Sequence, residues 1–266
     1  LSDDESLLRY TALLQLESAP PEVTAALAAP LLYDPVRAVR QQAGVVLTRR
    51  KTEKLSSGHR KVFVESWRDY RDSMEYLADF PWARMNLGNL AGNFGNDEEM
   101  EGHYLKALAI DDRFVPAMNN LALLYNRRGK NDEAEQLLAR ILDLQPQFHE
   151  AAYSLGLLLA EEKRFEEAAV YLERAAAGMP QRPRIFYNLG LLQLHLRRIP
   201  EAEASLRRAV EADPENVDFL FGLADFSVKQ GRFDEAEALA ERMLAVDPGN
   251  EAGRQILRFI NQVRQR

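Results

Sequence analysis

The sequence repeats itself every 34 residues over its C-terminal two thirds, and this period restricts the fold more than any other feature. A Leu followed by Gly or Ala recurs without insertion or deletion at Leu87-Gly88, Leu121-Ala122, Leu155-Gly156, Leu189-Gly190 and Leu223-Ala224. Each period closes in turn on Asp112, Pro146, Pro180, Pro214 and Pro248. Each unit has the pattern of two short helices joined by a tight turn, which predicts an all-α fold.

This pattern resembles the tetratricopeptide repeat (TPR) family, and the resemblance covers Pro81 to Asn250. It implies a right-handed α-solenoid built from five repeats: 81–114, 115–148, 149–182, 183–216 and 217–250. Gly95, Gly129 and Gly231 fall at the predicted turn between the two helices, where a left-handed backbone is easiest for Gly. Lys163 and Arg197 take that place in the two middle repeats.

Composition narrows the class of protein. Hydrophobic residues make up 46% and charged residues 28% of the chain, which is typical of a globular protein. The net charge of -7 argues against nucleic acid as a partner, and no apolar run reaches the roughly 18 residues of a membrane span. The absence of Cys excludes disulfides, thiolate metal sites and haem-attachment motifs from this sequence, but it leaves the compartment open.

Residues 1–50 do not fit the period of the C-terminal region and carry a different internal repeat, in which 1–16 align with 32–47. The alignment matches Asp3 with Asp34 and Arg9 with Arg40, and each Asp precedes a predicted helix whose backbone N–H groups it could cap. The phrase DPVRAVRQQAGVVL resembles the second helix of a HEAT repeat. The resemblance implies that residues 1–16 are also a second helix, whose first helix would lie before this sequence.

Residues 51–80 join the two regions. We interpret 51–58 as a polar connector and 59–79 as one long adaptor helix, in the place of a degenerate second helix. Its apolar stripe predicts packing on the first helix of repeat one: Phe63, Trp67, Tyr70, Met74 and Leu77. At the other end, 251–266 is predicted to be a capping helix with one apolar and one polar side.

No catalytic or metal-binding motif is found. There is no phosphate-binding glycine loop, no GxSxG and no HExxH, and the four His residues lie far apart in the sequence. We therefore predict a chain that is not an enzyme and holds no cofactor and no metal.

The residues that packing does not need lie on the first helix of each repeat. The position before each repeated Leu holds Asn86, Asn120, Ser154, Asn188 and Gly222. A row of Asn here resembles the asparagine ladder of some TPR peptide binders, because a carboxamide can pair with a peptide backbone whatever the peptide's sequence. The alternative is that these amides serve local hydrogen bonds within the repeat array.

Other first-helix positions complete a predicted peptide-binding groove on the concave side, polar in its N-terminal half and more aromatic and aliphatic in its C-terminal half. The predicted site residues are Trp82, Asn86, Asn89, Asn93, Asn119, Asn120, Asn126, Arg127, Tyr153, Tyr187, Asn188, Leu191, His195, Phe221, Asp225 and Lys229. The carboxylate clamp of chaperone-binding TPR domains needs cations on several adjacent repeats. That set is incomplete here.

The leading prediction is a non-catalytic scaffold that binds a protein or peptide in this groove. A second possibility comes from the whole arrangement, which resembles the C-terminal part of exported bacterial proteins that begin with a multihaem cytochrome. This resemblance implies a periplasmic docking or accessory region for an enzyme whose catalytic part lies elsewhere. A third possibility is a self-assembly module that forms a homo-oligomer.

Overall fold

The computed structural model describes residues 1–16, 19–49 and 55–265, and the regular structure in these ranges is helical, with no strand. The chain divides into two compact units, Leu1–Gly129 and Lys130–Arg266. The first part of the predicted connector, 51–54, lies outside the described residues.

Unit 1 consists of α-helices and one 3-10 helix, Ala29–Tyr33. Its α-helices are α1 (Ser6–Gln15), α2 (Pro21–Ala28), α3 (Arg37–Thr48), α4 (Ser57–Tyr76), α5 (Pro81–Asn93), α6 (Asp97–Ile110) and α7 (Val115–Arg127). In unit 2 the α-helices are α8 (Asn131–Leu144), α9 (His149–Glu161), α10 (Phe165–Gly178), α11 (Pro183–His195), α12 (Ile199–Ala212), α13 (Val217–Lys229), α14 (Phe233–Val246) and α15 (Glu251–Arg264). The all-α prediction is confirmed.

Helix bounds follow the sequence period closely. The first helices α5, α7, α9, α11 and α13 begin one sequence period apart, and α15 begins one period after α13. Pro81 and Pro183 stand at the first helical position, where the missing N–H has no partner to lose. Acidic side chains in the first turns of the second helices favour the positive end of the helix dipole.

The two helices of a repeat approach closely at the residue after the repeated Leu. A methyl group added at Gly156 would lie 2.8 Å from Cγ of Leu172, and one at Gly190 would lie 2.8 Å from Cγ of Leu206. The first repeat has the same contact, since a methyl group at Gly88 would lie 2.6 Å from the ring of Tyr104. In each case the facing residue comes 16 positions later, so one packing contact recurs.

The turn between the two helices has a left-handed backbone in every repeat, as the sequence predicts. The φ angles are positive at the five matched positions: Gly95, Gly129, Lys163, Arg197 and Gly231. At 65° and 58°, Lys163 and Arg197 hold a conformation that costs an L-residue about 1–2 kcal/mol. The repeat packing therefore imposes the turn even where the residue opposes it.

The internal sequence repeat at the N-terminus is matched by two equivalent hydrogen bonds. Nη1 of Arg9 donates to the carbonyl oxygen of Asp3, and Nη1 of Arg40 donates to that of Asp34, both at 2.7 Å. Arg9 and Asp34 also form a buried two-bond ion pair, at 2.7 and 3.0 Å. The pKa of the Asp34 carboxyl lies below its usual range, chiefly because of this hydrogen bond. The HEAT assignment itself stays a prediction.

The side chains of Asp3 and Asp34 do not cap the following helices in the way that the sequence predicts. Asp3 accepts from the N–H of Glu5, and Asp34 accepts from the N–H of Val36, at 2.8 Å each. Glu5 and Val36 are themselves the N-cap residues, so neither carboxylate reaches the free N–H groups inside the first turn. The Asp side chains therefore fix the turn that leads into each helix.

The stripe of α4 packs on two partners and not only on the first helix of repeat one. Its C-terminal part, with Tyr70 and Met74, packs against Ala83 and Leu87 of α5. Its N-terminal part, with Phe63, belongs to the core formed with α2 and α3. The reason is length, because α4 has 20 residues and α5 only 13. The helix thus extends beyond α5 and bridges α3 to α5.

In unit 2, ion pairs link successive second helices. Arg232, at the start of α14, contacts Glu203 of α12 at 2.5 and 2.7 Å, and Arg207 contacts the same carboxylate at 2.8 Å. The hydrogen bond from Arg232 has the largest effect, and together with the bond from Arg207 it lowers the pKa of Glu203 to about 2. At the C-terminal end, α15 buries Ile256 and Ile260, as expected for a capping helix.

Two glycines of the first repeat should respond in opposite ways when each is replaced by Ala, because only one of them has a left-handed backbone. No atom lies within 4 Å of a methyl group added at Gly95 or at Gly102, but only Gly95 has a positive φ. We expect Gly95→Ala to lower the free energy of unfolding by about 1 kcal/mol. Gly102→Ala, inside α6, should raise it by about 0.5–1 kcal/mol. Urea unfolding measures both, and equal effects would contradict the assigned turn.

The Glu203 ion pairs predict a pH-dependent stability. Because the folded pKa is lowered, the contribution is complete above the unfolded value of 4.5 and is lost as the pH falls towards about 2. We expect Glu203→Gln to cost about 1 kcal/mol at pH 7 and almost nothing near pH 2. The exposed Glu201, on the same helix, provides the control variant Glu201→Gln. Urea unfolding across this range tests the pairs, and a cost for Glu203→Gln that does not change with pH would contradict them.

Candidate functional site

All predicted site residues lie on the first helices, α5 and α7 in unit 1 and α9, α11 and α13 in unit 2. Each of them is half-buried or exposed, and none is buried in the core. Their neighbours in the same helices behave differently, because Leu87, Leu155 and Leu189 are buried. The repeat packing therefore leaves one side of each first helix accessible to a partner.

In unit 1, side chains of α5, α6 and α7 form a polar cluster. Oδ1 of Asn89 accepts two hydrogen bonds, from the hydroxyl of Tyr104 at 2.6 Å and from Nδ2 of Asn120 at 3.0 Å. Burial raises the pKa of Tyr104 to about 12, so its hydroxyl stays protonated and donates at neutral pH. Asn93 of α5 donates to Oγ1 of Thr48, at the end of α3, at 2.8 Å.

This cluster borders a cavity of about 410 Å³. It is lined by Arg49, Asn89, Gly92, Asn93, Met100, Tyr104, Asn120, Leu123, Leu124 and Arg127. The prediction from sequence names Asn89, Asn93, Asn120 and Arg127 but misses Arg49 and Tyr104. Tyr104 carries a signal in the sequence, because three of the other four repeats have Leu at its position. Arg49 lies outside the repeats, where the period gives no information.

The three Asn residues before the repeated Leu all make local contacts. Asn120 donates to Asn89, Asn188 donates to the hydroxyl of Tyr153 at 2.8 Å, and Nδ2 of Asn86 lies 3.7 Å from Sδ of Met74. These contacts are the local hydrogen bonding that the sequence left open as the alternative. In the part of the chain that the structure describes, Oδ1 of Asn120 and of Asn188 accepts no hydrogen bond. One acceptor on each residue is thus left for a ligand.

In unit 2, aliphatic and aromatic side chains occupy the accessible face of α11 and α13. Leu191 and Phe221 are 41% and 40% exposed. The ring of Tyr187 is held in place, because it lies in the space left by Gly222, where a methyl group would come within 2.6 Å of it. Arg184 lies 5.4 Å above the same ring.

The remaining predicted residues are accessible, and most have partners nearby. Asp225 and Lys229 pair with each other at 2.6 Å along α13, and Arg127 contacts Asp97 at 2.6 Å. The ring centres of His195 and Phe165 lie 4.0 Å apart.

Trp82 stacks on Phe80, with the two ring centres 5.9 Å apart. Asn119 and Asn126 are half-buried and make no side-chain hydrogen bond within the described ranges. These two amides are therefore open to a partner.

Two further properties concern the described residues. They include no group of three or more His, Asp or Glu side chains placed to hold a metal ion. None of their helices combines the length and the apolar character that crossing a membrane requires.

Comparison with solved structures shows the fold. PilW, a type IV pilus biogenesis factor, is 17% identical with a TM-score of 0.62, and the match covers 82% of this chain and 98% of PilW. PilF of Pseudomonas aeruginosa is 22% identical with a TM-score of 0.60, over 73% of this chain and 86% of PilF. YrrB, described as a TPR protein with an unusual peptide-binding site, is 17% identical with a TM-score of 0.61, over 71% and 97%.

Family models give the assignment, although no curated protein matches the chain. Two models described as tetratricopeptide repeat match it, one at residues 119–184 and 187–251 and the other at 159–214. The matches span 119–251, half of the 266 residues. The Gly88–Tyr104 contact and the left-handed turn at Gly95 extend the same geometry to the repeat at 81–114, which neither model matches. The chain belongs to the tetratricopeptide repeat family.

Proposed function

We propose that this chain is a non-catalytic scaffold that binds a peptide or helix of a partner protein on the accessible face of its first helices. Repeat proteins of this kind present extended surfaces to other proteins, so a protein partner is the expectation of the family. The proposal of a binding face rests on a difference in burial between side chains of the same first helix. The repeated Leu is buried, while polar and aromatic side chains beside it stay accessible.

The unit 2 face supplies the anchors. Leu191 and Phe221 keep about two fifths of their surface exposed, and burying side chains of this size against a partner is worth about 1.5–3 kcal/mol each when complete. Partial exposure reduces that gain in proportion. Two such residues on neighbouring helices suit a short apolar motif of a partner.

The amides supply a second element, which does not depend on the partner's sequence. Donation from Asn188 to Tyr153 fixes the orientation of the carboxamide, so its oxygen is held ready to accept. An extended peptide offers backbone N–H groups for such an acceptor. Because the amide is already ordered, little side-chain entropy is lost on binding.

The anchor proposal is tested by Leu191→Glu combined with Phe221→Glu. A carboxylate at each position would oppose burial against a partner, so we expect recovery of that partner to fall at least about tenfold. The measurement is affinity capture from a lysate of the source organism, quantified by mass spectrometry. Both residues are exposed, so the variant should fold.

Val170 gives a matched control. It is 61% exposed and lies on the second helix α10, which carries none of the predicted site residues. We expect Val170→Glu to retain the partner. Recovery that is equal for the wild type and the double variant would contradict the proposed binding face. Loss of the partner with Val170→Glu but not with the double variant would indicate that the binding site lies on the second helices.

A further inference from the structure

A second cavity of unit 1, of about 220 Å³, lies between α4, α5 and the first turn of α6. The buried side chains of Leu87 and Leu90 line it, and none of the predicted site residues does. The rings of Trp67 and Phe94 also line it, with their centres 4.9 Å apart. Pockets that hold a whole small molecule usually measure about 300–1,000 Å³, so this cavity has the size for a single side chain.

In unit 2 the corresponding place is bridged by an ion pair. Trp67 and Asn96 stand four sequence periods before Glu203 and Arg232. Glu203 and Arg232 bond to each other at 2.5 and 2.7 Å. Trp67 and Asn96 carry no charge, so α4 and α6 lack this bridge and have an aromatic ring and an amide in its place.

A second charged pair is present in both units but joined only in unit 2. Arg71 and Glu99 stand four sequence periods before Arg207 and Glu235, which form an ion pair at 2.5 Å. Arg71 and Glu99 both line the cavity, yet among the described residues they make no contact with each other. The cavity therefore has one charge of each sign in its lining, with an apolar wall beside them.

Arg71 holds its charge next to the aromatic wall. Its guanidinium lies 5.8 Å from the centre of the Trp67 ring, and its contacts with Asp72 and Glu75 on the same helix are 3.4 and 3.6 Å long. Arg68 approaches the Trp67 ring as well, at 5.5 Å, but does not line the cavity. A guanidinium in this position attracts the face of an aromatic ring.

Glu99 holds an acceptor at the cavity. Its Oε2 accepts from Nδ2 of Asn96 at 2.8 Å, which fixes the carboxylate. Its Oε1 accepts no hydrogen bond in the part of the chain that the structure describes. The nearest ionisable group is Nε2 of His103, at 3.8 Å, and burial lowers the pKa of His103, so this ring is neutral at neutral pH. One carboxylate oxygen is thus left for a donor of a ligand.

We propose that this cavity binds the indole ring of a tryptophan from a partner protein, with Arg71 against the ring face and Oε1 of Glu99 accepting from the indole N–H. An aromatic ring is negative on its faces and positive at its edge, so it fits between a guanidinium and a carboxylate. Trp combines a large apolar ring with one N–H donor. This inference goes beyond the proposed function, because no residue of the first-helix binding face takes part.

The test uses N-acetyl-L-tryptophanamide, an uncharged Trp with both ends blocked, titrated into isotope-labelled protein and followed by amide NMR at neutral pH. We expect saturable shifts of the Trp67 indole signal and the Asn96 backbone signal, with a Kd of about 1–10 mM. The chain has two Trp, so Trp82→Phe identifies the signal of Trp67. N-acetyl-L-phenylalaninamide has no ring donor and should bind about three- to tenfold more weakly.

Matched variants locate the binding site. Phe94→Ala removes one ring of the lining, and Glu99→Ala removes the acceptor, so each should weaken binding at least about threefold. Phe80 is exposed to the same 52% as Phe94 but does not line the cavity, and Phe80→Ala is its control. Glu98, exposed in the first turn of α6, gives the control Glu98→Ala with the same change of charge. Both controls should bind within about 1.5-fold of wild type.

Three results would overturn the inference. Absence of saturable shifts at Trp67, or equal losses for the cavity variants and their controls, would exclude the site. Tighter binding of the blocked amides of Tyr or Leu would exclude indole as the preferred ligand. Free L-tryptophan that binds more tightly than the blocked amide would assign the cavity to the amino acid and not to a partner protein. Capture with Leu191→Glu and Phe221→Glu tests the proposed function separately, since neither residue lines this cavity.

Discussion

The close approach of the two helices in a repeat depends on one small residue. At Gly88, Gly156 and Gly190 a single added methyl group would come within 2.6 to 2.8 Å of the residue that faces it on the second helix. A larger side chain would hold the helices apart, because protein interiors have little free volume to absorb it. The same contact recurs at the same place in the period in these three repeats, so in each of them the first helix turns this position towards the second helix.

The packing of the first helix on the second decides which of its side chains stay exposed. With the repeated Leu directed into the core, residues on the other side of the first helix stay accessible, as at Leu191 and Phe221. In the first repeat the residue at this contact also belongs to the polar cluster beside the cavity. Tyr104 packs on Gly88 with its ring, as Leu does elsewhere, and its hydroxyl then organises the amides of Asn89 and Asn120 beside a cavity. One residue thus links the packing of the repeat to its polar chemistry.

Most of the fold could be predicted from the sequence because it is periodic. Helix pairs, their bounds and the left-handed turns, including those at Lys163 and Arg197, all follow from the sequence period. The candidate site was only partly predictable, since hydrogen bonds such as that from Asn93 to Thr48 join residues 45 positions apart in regions with different periods. The packing of the apolar stripe of α4 on both α3 and α5 was not predicted, for the same reason. The resemblance to the haem-free part of exported cytochromes, and self-assembly, stay predictions.

The most direct test of this account is a double-mutant cycle at Gly190 and Leu206. Gly190→Ala alone should destabilise unit 2 by about 1–3 kcal/mol through overpacking, and Leu206→Ala alone by about 2–5 kcal/mol through the cavity it leaves. In the double variant the new methyl group would occupy part of that cavity, so we predict a favourable coupling energy of at least about 1 kcal/mol. Effects that add to within about 0.5 kcal/mol would show that the two residues do not control each other's packing, and would contradict the account.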